Sequence, residues 1–515
     1  MRVIFYWFNL GSAPGGSLGV SMLARELVDA GHQVNVIHLN EEMGETLDYS
    51  RLFARPELEE AGLHALSFGG NHADLAGELA GALRDRWPET YILCGGIHTT
   101  LNAEDVLALP AVDAVCIGEA DGLLTRFVAG LEGGGNHVEV DSFWVKQGAE
   151  IRRNPVAPPP SLESQAWPYF DGIDYPAIIR ANRGFADVLA GRGCPMRCSF
   201  CHNAAVVDVL SAHGRGRVDN SVYCRQRPVE TLLQELDAFV RHFPDEVRAF
   251  AFVDDTLIRD VSWLRDFAQG YTQRIGLPFV CNAQLSDISD EVIDLLADAG
   301  CNLVKMGVES GAERLRSEIL RRRLDEDRLA EVVEKIQERG MNARAYVMLG
   351  IPTETAAERQ ATIRLCARLR FDSVRPAILY PFPGTRIHRQ CVEWGLIDAQ
   401  KRVRGYDTRT TLKVSDAERV NIERTHELYA WLLNLELGGV AAERALPVVN
   451  EALAVSVGDW AVERGRELIH SIGTPVHEAL LAEGVDHFYA PFIDRHDAVF
   501  LYRERARPML NVNEG

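Results

Sequence analysis

Three closely spaced cysteines in Gly191-Arg-Gly-Cys-Pro-Met-Arg-Cys-Ser-Phe-Cys201 are the strongest chemical signal in the chain. Cys194, Cys198 and Cys201 follow the pattern C-x3-C-x2-C, whereas the other seven cysteines are scattered. Three thiolates so close together can bind zinc or an iron–sulfur cluster, or bind nothing. Structural zinc needs four protein ligands, and no second cysteine pair follows, although Cys224 could act as a fourth ligand. A 4Fe-4S cluster held by three cysteines leaves one iron open to a small molecule.

Composition and charge narrow the class of protein. The chain has 515 residues, which predicts two to four domains, and is 47% hydrophobic, as expected of a globular protein. Its net charge of −20 repels phosphate backbones, so we expect no nucleic-acid partner. No apolar stretch is long enough for a membrane span, and ten cysteines are too few for a disulfide scaffold. We therefore expect a soluble, cytoplasmic protein without a membrane partner.

The first part of the chain alternates strand and helix patterns. Strands are predicted at residues 3–10, 34–39, 65–68, 91–94 and 114–117, with helices at 18–30, 74–86 and 121–131. This alternation predicts a parallel, doubly wound sheet. Glycine-rich stretches follow four of the strands, at residues 11–17, 67–72, 94–100 and 118–121. They predict a rim at which backbone approaches a large ligand, although glycines that only form turns and helix caps are the alternative.

A second β/α series should carry the cysteines. A hairpin turning at 147–148 and a Pro-rich linker at 154–160 separate the two series. Strands are predicted at 187–190, 249–253, 279–281, 303–307, 343–349 and 373–380, with helices at 229–242, 263–274, 290–299, 325–339 and 355–369. Six such units predict a partial (β/α)6 barrel with its chemistry at the carboxyl ends of the strands. The predicted domains are 1–135, 136–180 (hairpin and linker), 181–398 and a helical C-terminal domain at 399–515, with helices at 416–437 and 476–482.

The cysteine motif, with Phe200 just before its last cysteine and a strand just before the motif, resembles the radical S-adenosylmethionine (SAM) superfamily. Later stretches resemble the same superfamily: Phe252-Val-Asp-Asp255, Gly307-Val-Glu-Ser-Gly311, Gly350-Ile-Pro-Thr-Glu354 and Tyr380-Pro-Phe-Pro-Gly-Thr385. Gly95-Gly-Ile-His98 and Val112-Asp-Ala-Val-Cys-Ile-Gly-Glu119 are similar to the cobalamin-binding, Rossmann-like domain that precedes the barrel in one large class. The resemblance covers about residues 1–400 and implies three cofactors: a 4Fe-4S cluster, SAM and cobalamin.

The resemblance also implies roles for individual residues. Cys194, Cys198 and Cys201 would ligate the cluster, and its open iron would take the amino and carboxylate groups of SAM. The implied SAM-binding residues are Phe200 at adenine and Asp254 or Asp255 at the methionyl amine. Glu309 and Ser310 would lie at ribose or carboxylate, and Gly350 and Pro352 at the adenine pocket. Gln284 is also assigned to SAM. Relatives often have an arginine where this chain has Gln284. Taken alone, Asp254 and Asp255 could instead cap the helix before Val261, and Glu309 could be a solvated loop acid.

Cobalamin is expected on the glycine rim. The residues assigned to it are Gly11, Ser12, Pro14, Gly15, Gly16, Ser67, Gly69, Asn71, Gly95, Gly96, His98, Gly118 and Glu119. Many cobalamin proteins carry Asp-x-His-x-x-Gly after the first strand, and this chain reads Asn9-Leu-Gly-Ser-Ala-Pro-Gly15 instead. Cobalamin should therefore bind without that lower histidine, while His98 and His72 position backbone.

In this class a SAM-derived radical removes hydrogen from the substrate, and methylcobalamin then methylates the resulting carbon or, sometimes, phosphorus. The resemblance thus implies a methyltransferase for a small molecule, with a low-potential flavodoxin or ferredoxin as electron donor and with Tyr380, Phe382 and Thr385 near the substrate. The main alternative is oxidation, cyclisation or rearrangement without methyl transfer. An RNA methylthiotransferase would bring a second cysteine trio and a basic C-terminus, and a non-catalytic iron–sulfur sensor would not need the SAM motifs.

Overall fold

The computed structural model describes residues 1–163, 165–398, 408–491 and 498–502. The chain forms two compact units, Met1–Asp254 with Phe382–Arg389 and Asp255–Pro381 with Gln390–Gly515. Residue 399, the predicted start of the last domain, lies outside the described residues. Within the described ranges, no helix is long and apolar enough to cross a membrane.

A seven-stranded sheet begins the first unit. Its strands are β1 (Arg2–Phe8), β2 (Gln33–Leu39), β3 (Leu63–Ser67), β4 (Tyr91–Gly95), β5 (Ala114–Cys116), β6 (Phe143–Gln147) and β7 (Glu150–Arg153). Its helices are α1 (Leu18–Asp29), α2 (Tyr49–Leu52), α3 (Ala73–Arg86), α4 (Ile97–Leu101), α5 (Ala103–Leu107) and α6 (Leu123–Glu132). The order is β2-β1-β3-β4-β5-β6-β7, with β1–β5 parallel and β6 and β7 antiparallel. The predicted doubly wound sheet and hairpin are confirmed, and the switch point lies between β1 and β3.

Apolar side chains cover both faces of this sheet because successive residues of a strand point to opposite sides. Tyr6 of β1 belongs to a buried cluster with Leu79 of α3. Phe5, its neighbour in the same strand, belongs to a second cluster with Leu27 of α1 and Phe127 of α6. Burial on both faces fixes the sheet and leaves the loops at its carboxyl edge to form the rim.

The rest of the first unit surrounds the cysteine loop. Its elements are α7 (Tyr175–Ala181), β8 (Phe185–Val188), β9 (Gly191–Arg192), α8 (His202–His213), α9 (Asn220–Tyr223), β10 (Arg225–Gln226), α10 (Val229–His242) and β11 (Ala249–Phe252). β8 and β11 pair in parallel, and β9 and β10 form a short antiparallel pair. The cysteines occupy the segment between β9 and α8.

The second unit continues the parallel series. Its elements are α11 (Val261–Arg274), β12 (Phe279–Ala283), α12 (Asp290–Asp298), β13 (Cys301–Glu309), a π-helix at Leu315–Leu320, α13 (Glu326–Glu338), β14 (Asn342–Leu349), α14 (Ala356–Leu369) and β15 (Ser373–Ile378). α15 (Arg386–Glu393) follows β15 along the chain. β12, β13, β14 and β15 are parallel neighbours in that order. The predicted strands and helices of this series are confirmed, each to within a few residues.

The C-terminal region is mainly helical, as predicted, but differs in detail. It contains α16 (Asp416–Glu427), α17 (Tyr429–Leu437), α18 (Gly439–Ala454), α19 (Val462–Ala482), β16 (His487–Tyr489) and β17 (Val499–Tyr502). The helical pattern predicted at 416–437 is confirmed, and the chain forms two helices there, α16 and α17, which are separated at Leu428. The two strands were not predicted; β17 pairs antiparallel with β15 and β16 with β17.

Candidate functional site

The cysteine loop is irregular from Gly193 until α8 begins at His202. Cys194 and Cys198 are buried, and Cys201 is partly exposed at the helix start. The Asn203 amide donates a hydrogen bond to Cys201 Sγ at 3.7 Å, and the Tyr223 hydroxyl donates to Asn203 Oδ1 at 2.5 Å. Hydrogen bonds to cysteine sulfur adjust the potential of an iron–sulfur cluster. Sequence reasoning missed Asn203 and Tyr223.

The donor set of this loop fits a cluster better than a single metal ion. Among the described residues, no three His, Cys, Asp or Glu side chains are arranged to hold one ion. A cubane cluster makes no such demand, since each cysteine ligates a different iron. Two buried thiols and one at the loop's accessible end are therefore consistent with a cluster that has one iron open.

Asp254 holds the backbone that leads into the cysteine loop. Its carboxylate is 2% exposed and accepts the Ala190 N–H at 3.1 and 3.0 Å and the Gly191 N–H at 2.6 Å. Sequence reasoning assigned Asp254 to the methionyl amine of SAM or to a helix cap. Asp260, and not Asp254, caps α11. The structure thus gives Asp254 a contact with the backbone just before the cysteine loop, while Asp255 is exposed in the second unit.

The four glycine-rich loops share the carboxyl edge of the parallel sheet, as predicted. In the loop after β1, which carries Gly11, Ser12, Pro14, Gly15 and Gly16, the Asn40 amide donates to Asn9 O and to Ser12 O, both at 2.8 Å. The Asn182 amide donates to Pro14 O at 2.6 Å. Side-chain amides thus fix this loop while its glycines stay free of side-chain bulk.

A cavity of about 240 Å³ opens among the loops after β1, β3, β4 and β5. Its lining includes five residues assigned to cobalamin, namely Ser67, Gly95, Gly96, Gly118 and Glu119. It also includes Ser17, Leu189 and Arg192, which were not predicted. Gly11, Ser12, Pro14, Gly15, Gly16, Gly69, Asn71 and His98 do not line it. The cavity is smaller than pockets for drug-sized ligands, so it cannot enclose a whole cobalamin.

Gly96 makes close packing of two rim loops possible. Its φ is +90°, a conformation that glycine adopts readily, and an added Cβ would lie 2.9 Å from Phe68 N and 3.0 Å from Phe68 O. A side chain at this position would separate the loops after β3 and β4.

The two rim histidines are buried against backbone and neighbouring side chains. His72 Nε2 lies 2.9 Å from Leu10 O, and His98 Nδ1 lies 3.4 Å from the Asn102 amide. Both positions are consistent with the positioning role predicted for them.

Two arginines join the rim to the cysteine loop. Arg192, two residues before Cys194, pairs with Glu119 and, at 2.9 Å, with Asp121. Arg225 of β10 pairs with the same Glu119. Glu119 was assigned to cobalamin binding. In the structure its carboxylate forms ion pairs with the guanidinium groups of Arg192 and Arg225. Sequence reasoning missed this network because its partners are far apart along the chain.

Residues 382–389 return to the first unit and touch both the rim and the cysteine segment. The Phe382 ring centroid lies 4.4 Å from that of His202, the residue after Cys201. A Cβ added at Gly70 on the rim would lie 3.5 Å from Phe382 Cδ1, so the two residues are neighbours. Ile387 N–H donates to Ser199 O at 2.9 Å. Thr385 is fully buried, and its hydroxyl donates to Phe382 O at 2.6 Å, so it shapes this turn.

In the second unit, Glu309 lies in a polar cluster at the carboxyl end of β13. Glu309 is 8% exposed and adopts the left-handed conformation with φ 64°, which costs a non-glycine residue about 1–3 kcal/mol. Arg322 Nε lies 3.8 Å from Glu309 Oε1, and Arg322 Nη2 donates to Gly307 O at 2.7 Å and Gln284 Oε1 at 3.0 Å. Burial raises the pKa of Glu309, although Arg322 opposes that rise. A Cβ at Gly307 would overlap Glu309 Oε1 and lie 3.0 Å from Arg322 Nη2, so a side chain there would displace the Glu309 carboxylate.

The remaining residues assigned to SAM or substrate in this unit are buried. Ser310 is fully buried, with its hydroxyl 3.3 Å from Thr362 Oγ1 and accepting from Ala312 N–H at 3.1 Å. Gly350 has φ +65°, and its N–H donates to Glu354 Oε2 at 2.8 Å. Pro352 and Tyr380 are also buried.

The fold and the cysteine loop define a two-domain class of protein: a doubly wound domain with a glycine rim, followed by β/α units with a three-cysteine loop after their first strand. Two family models match the same parts of the chain. The B12 binding domain matches residues 13–128, and the Radical SAM superfamily matches residues 188–366. The chain therefore belongs to the radical SAM superfamily and carries a B12 binding domain ahead of its radical SAM domain. These domains imply cobalamin, a 4Fe-4S cluster and SAM as cofactors.

Individual proteins are similar over most of this length. An uncharacterized methyltransferase of Pyrococcus horikoshii is 22% identical over 386 residues, 74% of this chain and 80% of the relative. Cytidylyl-2-hydroxyethylphosphonate methyltransferase of Streptomyces wedmorensis is 22% identical over 355 residues, 61% of this chain and 63% of the relative. The solved radical SAM methyltransferase TsrM from Kitasatospora setae, with cobalamin and a 4Fe-4S cluster bound, has a TM-score of 0.61 at 16% identity. That comparison covers 93% of this chain and 99% of TsrM, and shows a shared fold.

Proposed function

We propose that the protein is a cobalamin-dependent radical SAM methyltransferase acting on a small molecule. One observation carries this: the cysteine loop, the glycine rim and Phe382 belong to one compact unit. Phe382 contacts His202 beside the cysteines and lies near Gly70 on the rim. Radical generation and methyl transfer act on the same substrate, so both cofactors must lie near it, and a single unit that carries both the cysteine loop and the glycine rim supports that arrangement.

The chain's own residues bind and orient the cofactors. When bound, the cluster supplies the electron that cleaves SAM, and cobalamin supplies the methyl group. We assign Cys194, Cys198 and Cys201 to the cluster, with Asp254 fixing the backbone before them. Asn203 donates a hydrogen bond to the sulfur of Cys201 and so helps to hold this side chain in place.

The remaining assignments divide between SAM and the substrate. Phe200, Asp255, Gln284, Glu309, Gly350 and Pro352 are assigned to SAM, with Ser310 acting through its turn. Phe382 and Tyr380 are assigned to the substrate, with Thr385 holding the turn that presents Phe382.

The names of the relatives support methyl transfer as the outcome, since two of them are called methyltransferases and a third has the same fold. The acidic balance of the chain favours a small molecule over RNA as substrate. A low-potential flavodoxin or ferredoxin would deliver the electron.

Methyl-labelled SAM tests the proposal. The protein, with its cluster reconstituted and cobalamin bound, is incubated with reductant and a small-molecule extract of its host, and we expect label in a product together with 5′-deoxyadenosine. Cys198→Ala should lose iron and both products. Cys224→Ala is the matched control: it should keep iron and activity, which also excludes the zinc alternative with Cys224 as fourth ligand. If 5′-deoxyadenosine accumulates while all products stay unlabelled, the outcome is oxidation, cyclisation or rearrangement and not methyl transfer.

A further inference from the structure

Three cations lie on one face of neighbouring strands in the second unit. Lys305 of β13 pairs in register with Arg344 of β14, and Arg375 of β15 pairs with Tyr346 of β14. Paired residues of parallel strands point to the same side, so these four side chains share a face. We call Lys305, Arg344, Arg375 and Tyr346 the cationic face.

The cationic face remains accessible although its strands are central. All four side chains are partly exposed, whereas Met306, Ala345 and Val374 on the opposite face are buried. These strand positions carry long side chains that keep part of their surface accessible to solvent. We therefore infer open space in front of this part of the sheet, because a layer packed against it would bury them.

The geometry also holds the cations in defined positions. Arg344 Nε donates to Ser373 Oγ at 2.7 Å, and the Arg344 guanidinium lies 5.6 Å from the centre of the Phe500 ring. Such anchoring costs less side-chain entropy on binding than a free arginine would lose.

Tyr346 reports the potential of this face. Burial by itself raises the pKa of its phenol, but the charges of Lys305, Arg344 and Arg375 and a hydrogen bond from Arg375 outweigh burial and lower it. Burial raises the phenol pKa of Tyr6 and Tyr91 elsewhere in the chain. The face therefore carries a positive potential that stabilises negative charge.

Little acid on the same strands offsets these cations. β12 to β15 contribute one acidic side chain, Glu309, and it faces the additional cation Arg322. These four strands therefore carry more positive than negative side chains, in a chain whose net charge is −20.

We propose that the cationic face binds an anionic oxygen group of the substrate, a carboxylate or a phosphate, and so selects acidic small molecules. The inference rests on the proposed function and deepens it by naming the substrate class. Carboxylate and phosphate share the chemistry that recognises them, because arginine and lysine donate charge-assisted hydrogen bonds to both. SAM also carries a carboxylate, and the test must separate it from the substrate.

Calorimetric titration of the full-length protein carrying its cluster and cobalamin and saturated with SAM provides that test. The probes are inorganic phosphate and acetate, and the stronger binder identifies the preferred group. We expect Lys305→Gln and Arg344→Gln each to weaken anion binding by about tenfold or more while SAM affinity stays unchanged. Lys305→Arg keeps the charge and should keep binding. Arg339→Gln, an exposed position at the C-cap of α13, is the control.

A second readout follows Tyr346 directly. An anion that neutralises the face should raise the midpoint of tyrosinate formation in the ultraviolet spectrum, and Tyr346→Phe should remove that transition. The proposal is overturned if neither probe binds, if Arg339→Gln weakens binding as much as Lys305→Gln, or if Lys305→Gln lowers SAM affinity instead. If the anion still binds but the protein transfers no methyl group, the proposed function is overturned, whereas the inference about the cationic face stands.

Discussion

Asp254→Asn separates a role in the cysteine loop from a role at SAM. In the structure the carboxylate accepts hydrogen bonds from two backbone amides, those of Ala190 and Gly191. Oδ1 accepts from both amides and Oδ2 only from Ala190, so asparagine can keep Oδ1 in place, but it loses the charge that strengthens both hydrogen bonds and turns an N–H donor towards the Ala190 N–H. A hydrogen bond to a charged group contributes about 1.5–3 kcal/mol, and the site is too buried for water to replace it, so we expect a local cost of about 2–3 kcal/mol.

This cost should appear as local opening of the cysteine loop. A change of 2–3 kcal/mol corresponds to about 30- to 150-fold in an opening equilibrium, and amide exchange at Ala190 and Gly191 should accelerate by a similar factor. Iron retention after reconstitution should fall in parallel. Hydrogen exchange followed by mass spectrometry measures the first effect and iron analysis the second.

The neighbouring position supplies the control for this variant. Asp255 is exposed, and Asp255→Asn should change neither exchange nor iron content. The reasoning is refuted if Asp254→Asn leaves exchange and iron unchanged and lowers only SAM affinity, because Asp254 would then act on SAM directly.

Three further predictions follow from the other sites. Arg322→Met should remove the hydrogen bonds to Gly307 O and Gln284, leave Glu309 without its cation and weaken SAM binding at least tenfold by calorimetry, with iron content unchanged. Gly96→Ala should abolish the spectral change on cobalamin addition, because its Cβ would press on Phe68 backbone; Gly81→Ala, with open space around its Cβ, should not. Unfolding temperature should fall as pH drops from about 6.5 towards 4, because burial lowers the pKa of His477 to about 4 and also lowers that of His487, so the unfolded chain takes up more protons in this window. His477→Gln should make that dependence less steep without removing it, because burial also lowers the pKa of His38, His64 and His202 to about 4. An unchanged slope would contradict the assignment.

Local patterns made most of the fold predictable. The strands of both β/α series and the glycine-rich loops at their ends could be read from alternation and turn residues, since each signal lies within about ten residues. The cysteine loop was found in the same way. The break at Leu428 and the pairing of β17 with β15 could not be, because they depend on tertiary packing and on partners more than 100 residues apart.

The same limit explains what was missed at the site. Glu119 was identified by its place after a strand, but its partners Arg192 and Arg225 come from the other side of the linker. Asp254 was identified by its motif, and its backbone partners became visible only when β8 and β11 were paired. Sequence thus identified positions near the chemistry and left open which atoms they contact.

Arg322 shows how a departure from a family pattern can be resolved by the fold. Relatives often have an arginine after the third strand, and this chain has Gln284 there, which by itself predicts a missing positive charge. The structure places the Arg322 guanidinium 3.0 Å from Gln284 Oε1, next to Glu309, from a segment that follows the π-helix. A π-helix has more residues per turn than an α-helix, so it changes the direction in which the residues after it point. Arg322 lies two residues after the π-helix, which ends at Leu320. A positive charge therefore lies beside Gln284, supplied by a different part of the chain, and Gln284 accepts a hydrogen bond from it.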